Sequence, residues 1–271
     1  MAFHSQNVLI TGASMGIGEA IAWKVAEEGG NLILLARSQN KLAQITTSIH
    51  DKHPALKVIY RAVDLQDYNA IEAAITEAIK ELGDIDILIN NAGLALGAPA
   101  AFPDLKVSDI LTMNSTNING LMFTTYAVLN ASMMPRKAGT ILNVTSITGL
   151  EVPPFPGEAV YHANKAAQEA FTNALRNELS GTNIRVLVLR PGCVATNFHS
   201  LRVGHDQEKY RSFFEGYTPL ESDDIARSAV FMLSQPLNVS VKALDVVPSA
   251  QRSINVFDRS WSERNGENTG P

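Results

Sequence analysis

A single doubly wound α/β domain, a mostly parallel sheet of about seven strands with helices on both faces, is the fold class the sequence predicts. Three observations predict it. The 271 residues, 45% hydrophobic and 18% charged, suit one large domain with a substantial core. Short β-branched or Leu-rich runs alternate with longer helical patterns from one end to the other, the mark of successive βαβ units. A glycine-rich turn stands between the first apolar run and the first helical pattern, where a strand must turn tightly into a helix.

Each element follows in order. The first strand is expected over Asn7 to Ile10, and a helix from Gly18 to Glu28 follows it across the glycine-rich turn. Leu32-Ile33-Leu34-Leu35 puts the second strand at Asn31 to Ala36, apolar without alternation and so covered on both faces. The helix from Gln39 to His50 returns from it. The third strand, Lys57 to Ala62, leads into a helix from Tyr68 to Glu81. The fourth, Ile85 to Asn90, ends in two asparagines, and a long helix is expected from Lys106 to Met133. The fifth, Gly139 to Thr145, connects through a Pro-rich loop to the helix from Glu158 to Leu179. Ile184 to Arg190 and Lys242 to Val247 complete the strands, with a helix from Ser222 to Ser234 between them.

Two stretches break the rhythm. Residues 196–218, polar and aromatic, have the makings of a lid over the carboxyl ends of the strands. The plan is therefore a main domain over 1–250 and a C-terminal tail over 251–271. Ser262 to Pro271 are expected to fray, whereas Val256, Phe257 and Trp261 are expected to pack on this subunit or a neighbour.

The bulk properties exclude several function classes. A net charge of -5 and a pI near 5.7 leave no sustained basic patch, so nucleic acid is not an expected partner. Cys193 is the single cysteine and the six histidines lack ligand spacing, so neither a disulfide nor a metal is expected. Met1 to Asn7 carry neither a basic region nor an apolar signal core, and no apolar run reaches membrane-spanning length. The expectation is a soluble cytoplasmic protein with a small-molecule partner and no membrane association.

Thr11-Gly12-Ala13-Ser14-Met15-Gly16-Ile17-Gly18 is the candidate phosphate-binding turn. Glycines let the backbone turn sharply and approach a pyrophosphate, while the helix start supplies oriented N–H groups. A tight turn without a ligand is the plain alternative. The second strand ends in Ala36-Arg37-Ser38, where an NAD-selecting site would carry an acidic residue for the ribose 2'-hydroxyl. Arg37 suits a 2'-phosphate instead, with Ser38 as an added hydroxyl contact, so NADP(H) is expected over NAD(H). Met15 supplies no second cation. Asp64-Leu65 places a carboxylate to accept from an adenine amino group, or else to cap the next helix. Asn90-Asn91-Ala92-Gly93 closes the fourth strand at the same sheet end, and its amides can tie loops together and line a cofactor cleft.

Tyr161 and Lys165 lie four residues apart, so on a helix the phenol and the ammonium project from one face. A tyrosine exchanges protons near neutrality only if its anion is stabilised, and a fixed cation does that. Read alone, the spacing also fits a solvated helix face.

Together these residues resemble the classical branch of the short-chain dehydrogenase/reductase family, over about residues 5 to 250. The resemblance rests on Thr11-Gly12, Gly16-Ile17-Gly18, Asp64, Asn90 to Gly93, Asn117, Ser146, Tyr161, Lys165 and Pro191-Gly192, in the family's order. Within it the chain looks most like the NADP-dependent serine/3-hydroxy acid dehydrogenase group, from Phe198, Arg202, Tyr217-Thr218-Pro219-Leu220, Asp224-Ile225-Ala226 and Val247 to Gln251. The resemblance implies a Rossmann-type sheet of order 3-2-1-4-5-6-7. It also implies interconversion of a secondary alcohol and a carbonyl by hydride transfer. Tyr161 is then the general acid or base, Ser146 donates to the same substrate oxygen, and Lys165 lowers the Tyr161 pKa and binds the nicotinamide ribose. Asn117 would hold a relay water toward Lys165. Pro191, Gly192, Val194 and Thr196 would wrap the nicotinamide, with Cys193 a small buried filler.

Arg202 is the expected carboxylate clamp for 3-hydroxy acids or β-hydroxy amino acids, though a surface arginine reads the same way. Phe155, Phe198, Phe213, Phe214 and Tyr217 would line a pocket for bulkier ketones of specialised metabolism, or belong to the core. A coenzyme-sensing scaffold without turnover is the rival from another class. The loop between Ser146 and Tyr161 is longer than the family's usual spacing, which bears on substrate choice. The resemblance also implies a homotetramer or homodimer through the helices that begin near Lys106 and Glu158. Ala163, Ala166, Ala167 and Ala170 permit close helix approach there.

Overall fold

The computed structural model describes residues 1–153, 156–202 and 214–266. Seven parallel strands, β1 (Asn7–Thr11), β2 (Asn31–Ala36), β3 (Val58–Ala62), β4 (Ile87–Asn90), β5 (Ala138–Val144), β6 (Asn183–Pro191) and β7 (Ala243–Val246), form the main sheet. Their order is β3-β2-β1-β4-β5-β6-β7, as expected. The chain leaves β1 toward one edge and returns to β4 toward the other, so the carboxyl ends of β1 and β4 flank a crevice that no crossover fills.

Strand periodicity explains the two core layers. Successive side chains point to opposite faces. Val8, Ile10, Leu32 and Leu34 therefore pack with Ile21, Val25, Leu42 and Ile225 of helices α1 (Gly16–Glu27), α2 (Gln39–Lys52) and α9 (Ser222–Leu233). Leu9, Ile33, Leu35 and Leu88 pack on the other face with Ile71, Val128 and Leu175. Those residues belong to α3 (Tyr68–Leu82), α5 (Gly120–Val128) and α7 (Ala159–Glu178). No helix among the described residues is long and apolar enough to cross a membrane.

Three expectations need correction. The helix expected from Lys106 to Met133 is α4 (Val107–Asn114) joined to α5 by a π segment, Ser115–Asn119. A second π segment, Leu129–Met133, leads into α6 (Met134–Arg136). A slip in backbone pairing leaves no mark on side-chain periodicity, and so it is invisible in the sequence. The lid region begins with a short helix, α8 (Asn197–Arg202), while residues 203–213 lie outside the described residues. The tail carries regular structure of its own, its last helix running a few residues beyond Ser262, where fraying is expected to begin. Strands β8 (Gln251–Ser253) and β9 (Val256–Phe257) pair antiparallel, and α10 (Trp261–Asn265) follows.

The tail packs on its own domain. The Phe257 ring stacks on buried Tyr217 at 5.0 Å, Trp261 packs on the same cluster, and Ser262 is fully buried. Val256 stays exposed.

Candidate active site

The carboxyl ends of β1, β2, β4, β5 and β6 open into one cavity of about 710 Å³. The glycine-rich turn forms one end. Gly12 and Gly16 take φ of +67° and +60°, backbone that side-chain-bearing residues rarely adopt. Gly12, Ser14, Met15, Gly16 and Ile17 lie on the wall, and Met15, extended and exposed, is the N-cap of α1. Gly18 does not reach the wall. It permits close approach of helix to strand, because an added Cβ would stand 2.4 Å from the Gly12 carbonyl oxygen.

Arg37 and Ser38 lie on the wall at the end of β2, Arg37 exposed and Ser38 making no capping hydrogen bond to α2. Exposed Asp64 and buried Leu65 lie beyond β3. Asp64 is not the cap of α3. That role falls to Asp67, which accepts from the Asn69 and Ala70 N–H groups at 2.9 and 3.2 Å, while the Asp64 carboxylate accepts from the Gln66 N–H at 3.1 Å.

The two asparagines after β4 divide their work. Asn91, with Ala92 and Gly93, lies on the wall, and its amide donates to the Thr11 carbonyl at 3.1 Å. The Thr11 hydroxyl in turn accepts from the Asn91 and Ala92 N–H groups, both at 3.1 Å, which locks the two halves of the crevice together. Asn90 is not on the wall. It is buried and donates to Thr125 and Asn143, both at 2.9 Å, tying β4 to α5 and β5.

Ser146, Tyr161 and Lys165 meet at the centre of the cavity. Helix α7 places Tyr161 and Lys165 one turn apart, as expected, with the ammonium 5.7 Å from the ring centre. Ser146 ends the segment after β5, accepts from the Thr148 N–H at 3.1 Å and hydrogen-bonds Tyr161. Burial raises the Tyr161 phenol well above its ordinary range, opposed by the Arg202 charge and by the Ser146 hydrogen bond. Burial also lowers Lys165 to about 8, with Glu169 opposing. The resting protein thus holds the phenol protonated and an ammonium that gives up its proton unusually easily.

Asn117 sits behind Lys165 in the first π segment, fully buried. Its side chain clasps the Leu94 backbone, accepting from the N–H at 2.9 Å and donating to the carbonyl at 2.8 Å. Asn117 is the residue expected to hold a relay water, and its backbone carbonyl oxygen accepts from the Gln168 amide at 2.6 Å. Gln168 also accepts from Lys165 at 3.0 Å, so a buried side chain bridges the two residues directly. Sequence reasoning missed Gln168; its spacing of three from Lys165 on the helix was the available signal. It also missed Glu169, buried between Arg190 and the Thr145 hydroxyl, which donates at 2.6 Å.

The end of β6 and the loop after it carry the residues expected from the sequence to wrap a nicotinamide. Pro191, Gly192, Val194 and Thr196 all lie on the wall. Cys193 is buried beside them and burial pushes its thiol up to about 11, which fits a filler rather than a nucleophile. Phe198 faces Tyr161 with ring centres 5.5 Å apart. Arg202, expected near a substrate acid, is buried on the wall and forms an ion pair with Glu158. Phe155 and Phe213 lie outside the described residues. Phe214 and Tyr217 belong to the core cluster beneath the tail, not to the wall. Gln251, Ile254 and Phe257 of the tail do reach the wall, which the sequence did not suggest.

The residues suit a dinucleotide. Paired positive-φ glycines at a helix start, an arginine where β2 ends and a lysine beside a tyrosine lie along one crevice, and groups of these kinds can hold phosphates and a ribose.

Residues 6–205 match the sequence profile described as short chain dehydrogenase. The chain is 39% identical over 251 residues to the NADP-dependent 3-hydroxy acid dehydrogenase of Schizosaccharomyces pombe, covering 92% of this chain and 95% of that one. It is 36% identical over 247 residues to sulfoacetaldehyde reductase 2 of Chromohalobacter salexigens, covering 91% and 96%. Among solved structures, the closed form of serine dehydrogenase complexed with NADP+ superposes with a TM-score of 0.84 at 33% identity, covering 92% and 97%.

Proposed function

The chain belongs to the short chain dehydrogenase family, and from that premise we propose that it interconverts a secondary alcohol and its carbonyl using NADP(H), with Tyr161 as general acid or base. The observation that carries the reading is the convergence of Ser146, Tyr161 and Lys165 on the wall of a crevice that also holds the glycine turn and Arg37. When bound, the coenzyme supplies or accepts the hydride. Everything else is done by the chain. Tyr161, held protonated at rest, gives its proton to the carbonyl oxygen in reduction, and Ser146 steadies that oxygen with a hydrogen bond. Lys165 keeps a positive charge beside the phenol as the proton leaves.

Arg37 supports NADP(H) over NAD(H), since no acidic residue stands at the end of β2 to meet a free 2'-hydroxyl. Gly12, Ser14, Gly16 and Ile17 would hold the pyrophosphate, Asp64 and Leu65 the adenine, Asn91 to Gly93 the ribose side, and Pro191, Gly192, Val194 and Thr196 the nicotinamide. The Asn117 expectation becomes a positioning role, with Gln168 joining it to Lys165. A soluble homo-oligomer acting in the cytoplasm is part of the proposal. Ala163 and Ala170 are exposed on α7, as are Leu111 and Tyr126 on the neighbouring helices, a surface suited to a second copy.

The test is a coenzyme-linked assay with NADPH and NADH across neutral ketones and 3-oxo acids, on the wild type and Tyr161→Phe. NADPH is expected to be used in preference, and the variant to lose at least about a hundredfold in kcat while still binding NADPH. Wild-type rates in Tyr161→Phe would sink the assignment. Tight NADPH binding without turnover of any carbonyl would favour a sensing scaffold.

A further inference from the structure

Glu158 is the N-cap residue of α7 and precedes Tyr161 by one helical turn. Arg202 lies in α8. Distant in sequence, the two meet on the cavity wall beside Tyr161, Glu158 only 3% exposed and Arg202 9%. Their charges both act on the Tyr161 phenol, Arg202 lowering and Glu158 raising its affinity for the proton, so both stand close to the reacting end.

We infer that Glu158 is a built-in anion that occupies the Arg202 guanidinium at the substrate end of the cavity, so that the enzyme takes neutral carbonyl compounds and turns carboxylates away. The inference rests on the carbonyl–alcohol chemistry proposed above and names its substrate class.

The charges on the wall decide the matter. Among the described wall residues the lysines and arginines are Arg37, Lys165 and Arg202. Arg37 follows β2, which β1 and β4 separate from β5 and the Ser146 segment, so it belongs to the other end of the crevice. Lys165 is already engaged by the Val144 carbonyl at 3.2 Å and by Gln168 at 3.0 Å. His199, beside Arg202, is pushed down to about 3 by burial and by that guanidinium, and so brings no charge at neutral pH. Among the described residues Arg202 is left as the cation a substrate acid would use, and Glu158 already holds it. An incoming carboxylate would have to displace Glu158, leaving a buried carboxylate to stand unpaired or to take up a proton, as burial favours, or else settle beside it as a like charge. Both are unfavourable in a desolvated site. A neutral ketone meets neither obstacle. If Arg202 were instead an open acid clamp, the opposite preference would hold.

A matched pair of substrates tests this: 3-oxobutyrate and its methyl ester share the reacting carbonyl and differ in charge. With NADPH, wild type is expected to favour the ester in kcat/KM by roughly tenfold or more. Glu158→Gln should raise the acid-to-ester ratio by roughly tenfold or more, mainly through the KM of the acid. A wild type that handles the acid as well as the ester, or a folded Glu158→Gln with an unmoved ratio, overturns the inference while leaving the reaction standing. Should Glu158→Gln not fold, calorimetric titration of both compounds into the wild-type NADP+ complex decides, since no reaction occurs there. Ester binding at least about tenfold tighter supports the inference, and equal binding overturns it. Absence of NADPH oxidation with either compound and with a panel of neutral ketones would defeat the reaction reading, and the inference with it.

Discussion

Lys165 bears its charge among the Val144 carbonyl, Gln168 and the Tyr161 ring, with almost no water. Its proton affinity falls from the ordinary 10.5 to about 8, because burial penalises the ammonium more than Glu169 supports it. The unfolded chain therefore binds a proton that the folded chain has released between those values, and stability rises with pH there. Cys193, raised from 9.0 to about 11, pulls the other way once the unfolded thiol ionises. The window in which Lys165 acts alone is thus about pH 8 to 9, worth about 1 kcal/mol. Denaturant midpoints of the coenzyme-free protein should climb across that window, and Lys165→Met should lose the climb; an identical slope in the variant would refute the assignment. Tyr161 and Lys165 could be paired from their spacing, and the family resemblance singled them out with Ser146 as a catalytic set. Glu158 with Arg202, and Gln168 with Asn117, could not be. Their meaning lies in contacts between distant segments, and Gln168 taken by itself reads as one more polar helix residue.

Each element that carries a catalytic group also carries a reason for its placement. Helix α1 lies against β1 only because Gly18 has no side chain, its Cβ position being 2.4 Å from the Gly12 carbonyl and 2.5 Å from the Asn91 amide. Gly18→Ala should destabilise the protein by about 1–3 kcal/mol through overpacking and weaken NADP+ binding as the turn shifts. Thermal unfolding with and without NADP+ reads both effects, and an unchanged midpoint with an unchanged ligand shift would count against this packing account. The seven strands were legible because buried parallel strands are apolar runs with turn residues at their ends, whereas their order followed from the family resemblance. The π segments were not, since residues such as Asn117 keep helical composition while the backbone pairing slips beneath them.

At the scale of the molecule, the tail is part of the site. Gln251 accepts from the Cys193 N–H at 3.1 Å, Ile254 is held to Glu151 by a 2.9 Å hydrogen bond, and Phe257 reaches the wall. Glu151 belongs to the loop between Ser146 and Tyr161, so tail and loop border one region. A chain ending at Ala250 should keep its KM for NADPH while its KM for a carbonyl rises about tenfold, with a lower unfolding temperature. Steady-state kinetics on both substrates would show it, and an unchanged carbonyl KM would place the tail outside the substrate region. The sequence concealed this because Ser253, Asn255 and Ser260 give the segment the composition of a loose end, while Ile254, Phe257 and Trp261 do the anchoring.

Proton transfer and hydride geometry depend on α7 and the strand ends, whereas part of the substrate wall is lent by residues that neither β6 nor α7 has to accommodate. Substrate preference can therefore drift by exchanging a short terminal ribbon. Inheritance of chemistry and inheritance of selectivity are, in this architecture, separable traits.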